Sequence, residues 1–288
     1  MKKALVTGAN GFIGKNLVEK MLQDNHYDLI LADKTGDKKI FSRPEKLKFI
    51  LQDQKPEIIF HLGAISSTTE QNVYEIAKNN MLLSCQLLEY ANNTDASLVY
   101  ASSASVYGLG KNGFQEDSQL QPLNYYAMSK AYFDKIVEQK IKDNKSIKVV
   151  GLRYFNVYGK YEEHKKDMAS PVHKFITQSS KSNCIKIFKG SHNFYRDFVH
   201  VDDIVSITKS AISFESGIYN AGTGIPRSFY DIAKFLSKKT NSDIKEIDFP
   251  TKLVGKYQMY TCSDNKKINS QYFQNRISLE EGIERVLQ

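Results

Sequence analysis

Cysteine is scarce in this chain. Its 288 residues include three cysteines, Cys85, Cys184 and Cys262, which lie far apart. They form neither a CxxC motif nor a Cys/His spacing of the kind that binds zinc. This usage gives no sign of a disulfide framework or a structural metal. It is typical of a reducing compartment, and we therefore expect a cytoplasmic protein.

Long apolar runs are missing as well. No stretch approaches the roughly 20 apolar residues that a membrane span needs. The chain starts with Met1-Lys2-Lys3 and breaks at Gly8, before the apolar core of a signal peptide could form. We therefore expect neither export nor membrane association. Apolar residues still make up 41% of the chain, which suffices for one large α/β domain with an appendage or for two domains.

The charge is positive but not concentrated. Forty Lys and Arg against 32 Asp and Glu give a net charge of +8. The basic residues are scattered instead of forming runs of five or six, so the charge does not indicate nucleic-acid binding. A net positive charge is explained equally well by an anionic small substrate, such as a nucleotide diphosphate, or by solubility alone.

Short apolar segments alternate with amphipathic ones through the first half of the chain. The pattern predicts strands at 4–7, 28–32, 58–62, 97–101 and 148–152, and helices at 12–23, 73–91 and 125–142. Such alternation is typical of an α/β fold with a doubly wound parallel sheet and right-handed crossovers.

Two regions depart from this alternation. The stretch between Asp33 and Pro56 is short for this fold, which normally has another strand and helix there, and only 44–54 looks helical. We therefore predict a trimmed sheet edge. Beyond 159 the sequence predicts a helix at 170–180, a strand at 185–188, a helix at 229–240, and no helix at the C-terminus. We therefore predict a dinucleotide-binding domain over 1–158. A small substrate-binding α/β lobe would occupy most of 159–288, and some of its segments could return to the first domain.

A glycine-rich turn follows the first predicted strand and opens the first helix. Gly8 permits a tight turn, Gly11 lets backbone amides approach a pyrophosphate, and Gly14 permits close helix packing. The loop residues expected at the cofactor are Gly8, Asn10, Gly11, Phe12, Ile13 and Gly14. Asp33 lies about 20 residues further on and would bind a ribose 2′-hydroxyl, as in NAD enzymes. Lys34, Lys38 and Lys39 could instead hold the 2′-phosphate of NADP, so both cofactors remain open.

A YxxxK motif lies on the predicted helix at 125–142. Tyr126 and Lys130 are four residues apart and therefore share one helix face. Lys130, together with the positive ring of a bound cofactor, would lower the phenol pKa from about 10, so that Tyr126 acts as a base. Ser103 ends a predicted strand near the same point and could bind the reacting oxygen. Tyrosine, lysine and the glycine turn together indicate a redox enzyme.

The motifs extend along nearly the whole chain. They read TGANGFIG, FHLGAISSTTE, YASSASVYG, YYAMSK, GLRYFNVYG, HKKDMAS, FKGSHNFYRDFVHVDD, YNAGTG and FPTKLVGKYQ. This set resembles the extended short-chain dehydrogenases and, more narrowly, the ADP-L-glycero-D-manno-heptose 6-epimerases. SSTTE, HKKDMAS and KLVGKYQ carry the narrower resemblance.

The resemblance implies an NADP-dependent isomerase that inverts C6 of an ADP-linked heptose for lipopolysaccharide synthesis. Hydride would leave to the cofactor and return to the opposite face, which needs two bases. Tyr126 matches one and Lys165 the other, although Lys165 on its own chemistry is an ordinary loop lysine. The resemblance also places near the cofactor Leu62, Gly63, Ala64, Ile65, Ser66, Asn79 and His164. Substrate-contacting positions would be Ser103, Asn156, Val157, Lys174, Phe188, Lys189, Gly190, Ser191, Arg196 and Tyr257.

Several alternatives stay open at this point. Arg196 suits a diphosphate through its guanidinium fork, but an ion pair with Asp197 or Asp202 is the other reading. The enzyme could be a 4-epimerase, reductase or dehydratase acting on another nucleotide sugar. A noncatalytic cofactor-binding or RNA-binding protein has only the net charge and the trimmed sheet in its favour, and Ser103, Tyr126 and Lys130 argue against it. We also expect a homo-oligomer that binds a nucleotide-diphosphate sugar.

Overall fold

The computed structural model describes residues 1–34, 41–42, 46–251, 258–268 and 276–288. Its internal contacts divide the chain into two units. Unit 1 comprises Met1–Val106, Pro122–Tyr154 and Val205–Tyr219, and unit 2 comprises Tyr107–Gln121, Phe155–Ile204 and Asn220–Gln288. No helix within the described residues combines the length and apolarity of a membrane span.

A seven-stranded sheet is the centre of unit 1. Its strands are β1 (Lys2–Thr7), β2 (Tyr27–Asp33), β3 (Phe41–Ser42), β4 (Ile58–His61), β5 (Ser97–Ser103), β6 (Val149–Tyr154) and β10 (Gly217–Ala221). The spatial order is β10-β6-β5-β4-β1-β2-β3, and every pair from β3 to β6 is parallel. Strands β4 and β6 are buried along their whole length, which explains why their residues are mostly apolar.

Helices connect these parallel strands. They are α1 (Phe12–Asp24), α2 (Leu47–Gln54), α3 (Val73–Ile76), α4 (Leu83–Asn93), α5 (Tyr125–Asp143) and α7 (Val201–Ser210). A π-helical turn, Ala77–Leu82, joins α3 to α4. Helix α5 starts where the Asn124 side chain accepts a hydrogen bond from the Ala127 amide. Leu5, Ile59, Leu98 and Phe133 belong to the apolar cluster between the sheet and its helices.

The parallel, doubly wound α/β prediction is confirmed by this architecture. The trimmed edge is present in a modified form. Besides the predicted helix it has a two-residue strand, β3, which pairs with Ala32 and Asp33 of β2. The expectation that the chain lacks a C-terminal helix is wrong. Leu279–Leu287 form helix α9, which buries Leu279 and Ile283 and whose first turn is capped by Ser278.

Unit 2 contains two small sheets. One has the order β11-β9-β7 and the other pairs β12 with β8. The strands are β7 (Asn156–Tyr158), β8 (Cys184–Phe188), β9 (Tyr195–His200), β11 (Pro226–Ser228) and β12 (Asp243–Ile247). Helices α6 (Pro171–Ser182), α8 (Phe229–Thr240) and α9 share an apolar cluster with them. Phe175, Ile185 and Ile232 are among its buried members.

A buried histidine connects β1 to β4 and to α4. In His61, Nδ1 lies 2.7 Å from the Thr7 hydroxyl and Nε2 lies 2.8 Å from the Ser84 hydroxyl. Ser84 already donates its proton to the Asn80 carbonyl oxygen, so His61 Nε2 is the donor to Ser84 and Nδ1 accepts from Thr7. Burial, together with the charge of Lys130, lowers the pKa of His61 to about 3. The imidazole is therefore neutral in the folded protein.

This neutral histidine makes stability depend on pH. The unfolded chain takes up a proton near pH 6.5, whereas folded His61 does not, so the stabilisation present above that pH is lost as pH falls toward 3. Each pKa unit corresponds to about 1.4 kcal/mol, and we expect a loss of roughly 3 kcal/mol in unfolding free energy by about pH 4. Urea unfolding at pH 7 and at lower pH should show this loss in the native chain and much less of it in His61→Gln.

His26 provides the control. It is exposed and lies in the same unit, so His26→Gln should keep the pH dependence of the native chain. An unchanged pH dependence in His61→Gln would contradict the assignment of this acid sensitivity to His61.

Candidate active site

The glycine turn after β1 is closely fitted to its neighbours. Gly8 has a φ of 72°, a left-handed conformation that favours glycine. A Cβ on Gly14 would lie 1.9 Å from the Gly8 carbonyl oxygen, so only glycine lets α1 start this close to the strand. No side chain caps α1 at Gly11. The positive end of the α1 dipole lies at this turn and favours an anion such as a pyrophosphate, so the turn fits a dinucleotide.

Asp33 lies beside this turn at the end of β2. Its Oδ2 accepts a hydrogen bond of 3.0 Å from the Asn10 amide. Lys34 follows it and is exposed. A carboxylate held here suits a ribose hydroxyl, and a neighbouring lysine suits a phosphate. The other two lysines predicted for a 2′-phosphate, Lys38 and Lys39, lie outside the described residues.

The segment after β4 also belongs to this region. Gly63 packs against Gly8, and its amide donates to the Thr7 hydroxyl oxygen at 3.2 Å. Asn80 holds the next part of the segment, because its side chain accepts from the Ile65 amide at 2.8 Å and donates to the Ile65 carbonyl at 3.0 Å. These contacts fix the course of the predicted cofactor segment, 62–66.

Asn80 is a residue that the sequence analysis missed. The predicted neighbour, Asn79, donates from its side chain to the backbone and carboxylate of Glu75 within its own helix. Asn80 is buried and also donates to the Ser129 hydroxyl on α5 at 3.1 Å. Both lie in the π-helical turn, and helical spacing in the sequence could not show which of two adjacent asparagines faces inward.

Ser103, Tyr126 and Lys130 lie together in unit 1. The Tyr126 phenol and the Ser103 hydroxyl share a hydrogen bond, and Ser103 also accepts from the Ser105 hydroxyl at 2.9 Å. Lys130 Nζ, one helical turn further along α5, donates to the Ala101 carbonyl at 2.7 Å. The predicted juxtaposition of a phenol, a hydroxyl and an ammonium at the end of β5 is thus present in the structure.

Burial and neighbouring groups set the pKa values of Tyr126 and Lys130 in the chain alone. Burial raises the pKa of Tyr126, the hydrogen bond from Ser103 lowers it, and the charge of Asp134 raises it again. Burial lowers the pKa of Lys130 to about 8, while Asp134 acts in the opposite direction. The chain alone therefore does not bring the pKa of the phenol down to near neutral pH. A positive ring beside it would supply the missing stabilisation of the phenolate.

Asp134 is a second residue that the sequence analysis did not identify. It is fully buried, two turns beyond Tyr126 on α5. Its carboxylate accepts hydrogen bonds from Tyr100 at 2.9 Å, Ser102 at 3.0 Å and Arg153 Nε at 2.9 Å. A single aspartate on an amphipathic helix reads as a solvent-facing residue, so nothing in the sequence marked it.

The remaining predicted residues belong to unit 2. Lys165 lies in the 3₁₀ turn Glu163–Met168, and its Nζ is 3.5 Å from Glu162 Oε2. Lys174 on α6 donates to the Asp167 carbonyl at 2.7 Å. Burial lowers the pKa of Lys174, the charge of Asp167 raises it, and the charge of Lys165 lowers it again. His164 is exposed beside them.

Arg196 is buried on β9. Its guanidinium donates to the carbonyl oxygens of Tyr195 and Gln258 and lies 5.6 Å from the centre of the Phe229 ring. The carboxylates named as alternative partners are engaged elsewhere: Asp197 accepts from the amides of Thr223, Gly224 and Ser263, and Asp202 pairs with Arg285 at 2.9 Å.

The other predicted substrate positions surround β7, β8 and β9. The Asn156 side chain accepts from Thr261 at 3.3 Å, and Val157 pairs with Val199 of β9. Phe188 ends β8, where its carbonyl accepts from the Ser191 hydroxyl. Lys189 is exposed and pairs with Asp248 at 2.8 Å, and Gly190 adopts a φ of 83°. Tyr257 lies outside the described residues.

Residues 4–222 match the model of the NAD dependent epimerase/dehydratase family. An ADP-L-glycero-D-manno-heptose-6-epimerase of Brachyspira hyodysenteriae is 41% identical, over 92% of this chain and 90% of that protein. The crystal structure of a Helicobacter pylori ADP-L-glycero-D-manno-heptose-6-epimerase has a TM-score of 0.86 at 28% identity, covering 99% of this chain and 95% of the other. A Thermotoga maritima UDP-glucose 4-epimerase also has a TM-score of 0.86, at 25% identity, with 99% and 97% covered.

Proposed function

Because the chain belongs to the NAD dependent epimerase/dehydratase family, we propose that it is an isomerase that inverts C6 of ADP-glycero-D-manno-heptose. The product, the L-glycero epimer, would serve lipopolysaccharide core synthesis. One observation carries the chemistry: a tyrosine hydrogen-bonded to Ser103, with a buried lysine one turn away, in the same unit as a glycine turn suited to a dinucleotide. The 41% identical relative supports the choice of substrate.

A dinucleotide held at the glycine turn would supply the redox chemistry, the removal of hydride from C6 and its return to the same carbon. Tyr126 takes the proton of the C6 hydroxyl as the C–H bond breaks. Ser103 donates a hydrogen bond to the oxygen that becomes the carbonyl. Lys130 remains mainly cationic at neutral pH, since its pKa is about 8, and it orients the ribose next to the reacting atoms.

Inversion requires the carbonyl to present its other face. C6 lies outside the sugar ring, so rotation about the C5–C6 bond accomplishes this. Lys165 then gives a proton to the oxygen as the C–H bond re-forms. One C–H bond breaks and one forms, Tyr126 gains one proton and Lys165 loses one, so substrate and product are isomers and proton exchange with water restores both groups.

NADP is the proposed cofactor, with NAD as the alternative. Asp33 is positioned for a ribose hydroxyl, as NAD enzymes require, whereas the exposed Lys34 beside it can pair with the 2′-phosphate of NADP. The three cysteines are free thiols, which supports a cytoplasmic location for the enzyme.

The proposal is tested with purified protein and ADP-D-glycero-D-manno-heptose, by following C6 stereochemistry by NMR. We expect conversion to the L-glycero epimer without net consumption of cofactor. Tyr126→Phe and Lys165→Met should each reduce the rate by ~10²–10⁴, the range of acid–base loss, and should leave the cofactor bound. Lys130→Met should weaken cofactor binding as well.

Conversion of UDP-glucose instead of the heptose would favour a 4-epimerase, as the Thermotoga maritima structure suggests. Stoichiometric consumption of NAD(P)H would indicate a reductase. No conversion of any nucleotide sugar by protein that retains its cofactor would contradict the proposed function.

Arg196 is the proposed ligand of the substrate diphosphate. A charge-assisted contact from a buried guanidinium is worth roughly 1.5–3 kcal/mol. Arg196→Ala should therefore raise KM on the order of ten- to a hundredfold, with a smaller change in kcat because the contact exists before and during the chemistry. Lysine should restore only part of the binding, since it lacks the planar fork. Steady-state kinetics measure both effects.

Arg227 is a matched control in the same unit. It pairs with Glu280 at 2.6 Å, and Arg227→Ala should lower stability and leave KM unchanged. If Arg196→Ala behaves in the same way, Arg196 has a structural role through Tyr195, Gln258 and Phe229.

A homo-oligomer is also proposed. Helix α5 and the adjacent π-helical turn expose large apolar side chains, with Leu82 at 57%, Met128 at 51% and Tyr132 at 65%. Apolar side chains grouped in this way mark interaction surfaces. Light scattering after gel filtration should show an oligomer that Tyr132→Glu converts to monomers. Leu22→Glu alters a single exposed leucine on α1 and should keep the oligomer. A monomeric native chain would contradict the proposal.

A further inference from the structure

Glu162 is a buried carboxylate between β7 and α6. Its side chain is fully buried, and its two oxygens accept three hydrogen bonds from the segment that surrounds it. The donors are the Gly159 amide at 3.1 Å, the Ser170 amide at 2.7 Å and the Ser170 hydroxyl at 2.8 Å. The carboxylate thus ties the two ends of 159–170 together and is itself fixed in place.

Lys165 is attached to the same residue twice. Its amide donates to the Glu162 carbonyl oxygen at 2.9 Å, and its Nζ lies 3.5 Å from Glu162 Oε2. Tyr161 and Lys166, next to these two residues, have φ values of 72° and 47°. Residues other than glycine rarely adopt this backbone conformation. Such residues cluster at functional sites, where the surrounding structure enforces the local geometry.

This arrangement matters for a base that must reach one face of a carbon atom. A lysine side chain has four rotatable bonds, and its ammonium is a point charge that is positioned only by its partners. The Asp167 carbonyl accepts a hydrogen bond from Lys174 Nζ, and the charges of Lys165 and Lys174 repel each other. Glu162 is the anchored anion against which Lys165 is held.

We propose that Glu162 is the positioning residue of Lys165: it does not touch the substrate, but it holds the ammonium where it can exchange a proton with the C6 oxygen. This inference rests on the proposed function, in which Lys165 is the second base. It makes Glu162 necessary for chemistry on one of the two C6 epimers and dispensable for chemistry on the other.

The prediction must be tested on half-reactions. The equilibrium constant fixes the ratio of kcat/KM in the two directions, so steady-state rates fall together whichever base is damaged. Rapid mixing of cofactor-loaded enzyme with each epimer separately, followed by absorbance of the reduced nicotinamide at 340 nm, resolves the oxidation of each epimer. The epimer whose oxidation is slowed in Lys165→Met is the one that Lys165 serves.

Glu162→Gln should slow the oxidation of that same epimer by roughly 10- to 100-fold, the scale of a misplaced catalytic group. Oxidation of the other epimer, served by Tyr126, should change by less than about twofold. The double variant with Lys165→Met should be no slower than Lys165→Met alone, because the two residues act as one unit. Glu162→Asp is the second variant in case Glu162→Gln does not fold. Its carboxylate is one methylene further from Lys165 but can still accept hydrogen bonds from the loop, so it should slow the oxidation of the same epimer.

Asp197→Asn is the matched control. Asp197 is also fully buried in unit 2 and accepts from the backbone amides of Thr223, Gly224 and Ser263. This variant should lower stability and affect both epimers alike. Equal slowing of both epimers by Glu162→Gln, or no slowing, would overturn the role of Glu162 while leaving a selective Lys165→Met effect intact. A nonselective Lys165→Met would instead refute the two-base assignment, and the role of Glu162 would fall with it.

Discussion

The buried carboxylate of Asp134 is the interaction on which the catalytic group of unit 1 depends. It joins α5 to two neighbouring strands, because its partners Tyr100 and Ser102 lie on β5 and Arg153 lies on β6. Removing one member of such a buried pair typically costs 3–5 kcal/mol, since the other charge is left uncompensated. Tyr126 and Lys130 precede Asp134 on the same helix. The ion pair therefore helps to hold the helix that carries them against these strands.

Unit 2 uses the same device in its loops. Glu162 and Asp197 are buried carboxylates whose hydrogen-bond donors are mainly backbone amides of segments outside regular structure. Burial raises the pKa of Asp197, and its four hydrogen bonds oppose that rise. Loops ordered in this way have defined shapes without a large apolar core. Loops held in place by a rigid scaffold are where binding and catalytic residues are commonly found.

The sequence alone predicted those features that arise from local periodicity. Strands β1, β2 and β4 to β6 and helices α1 and α5 were all found close to their predicted bounds, because buried parallel strands and amphipathic helices have distinct repeats. Strands β7 and β9 to β12 were missed, because their apolar residues are interleaved with polar ones and their partners are distant in sequence, and helix α7 was missed as well. Asn80 was missed because a π-helical turn changes which residue faces inward. Asp134 and Glu162 were missed because burial of a charge is decided by donors elsewhere in the chain.

The hydrogen bonds around His61 all run in one direction. Thr7 donates to His61, His61 donates to Ser84, and Ser84 donates to the Asn80 carbonyl, so the bond dipoles add along the chain. The series ends at a backbone carbonyl, which can only accept, so the direction of the whole series is fixed. A replacement at Thr7, His61 or Ser84 must therefore offer the same donor and the same acceptor as the native side chain, whereas any residue at position 80 supplies the terminal carbonyl.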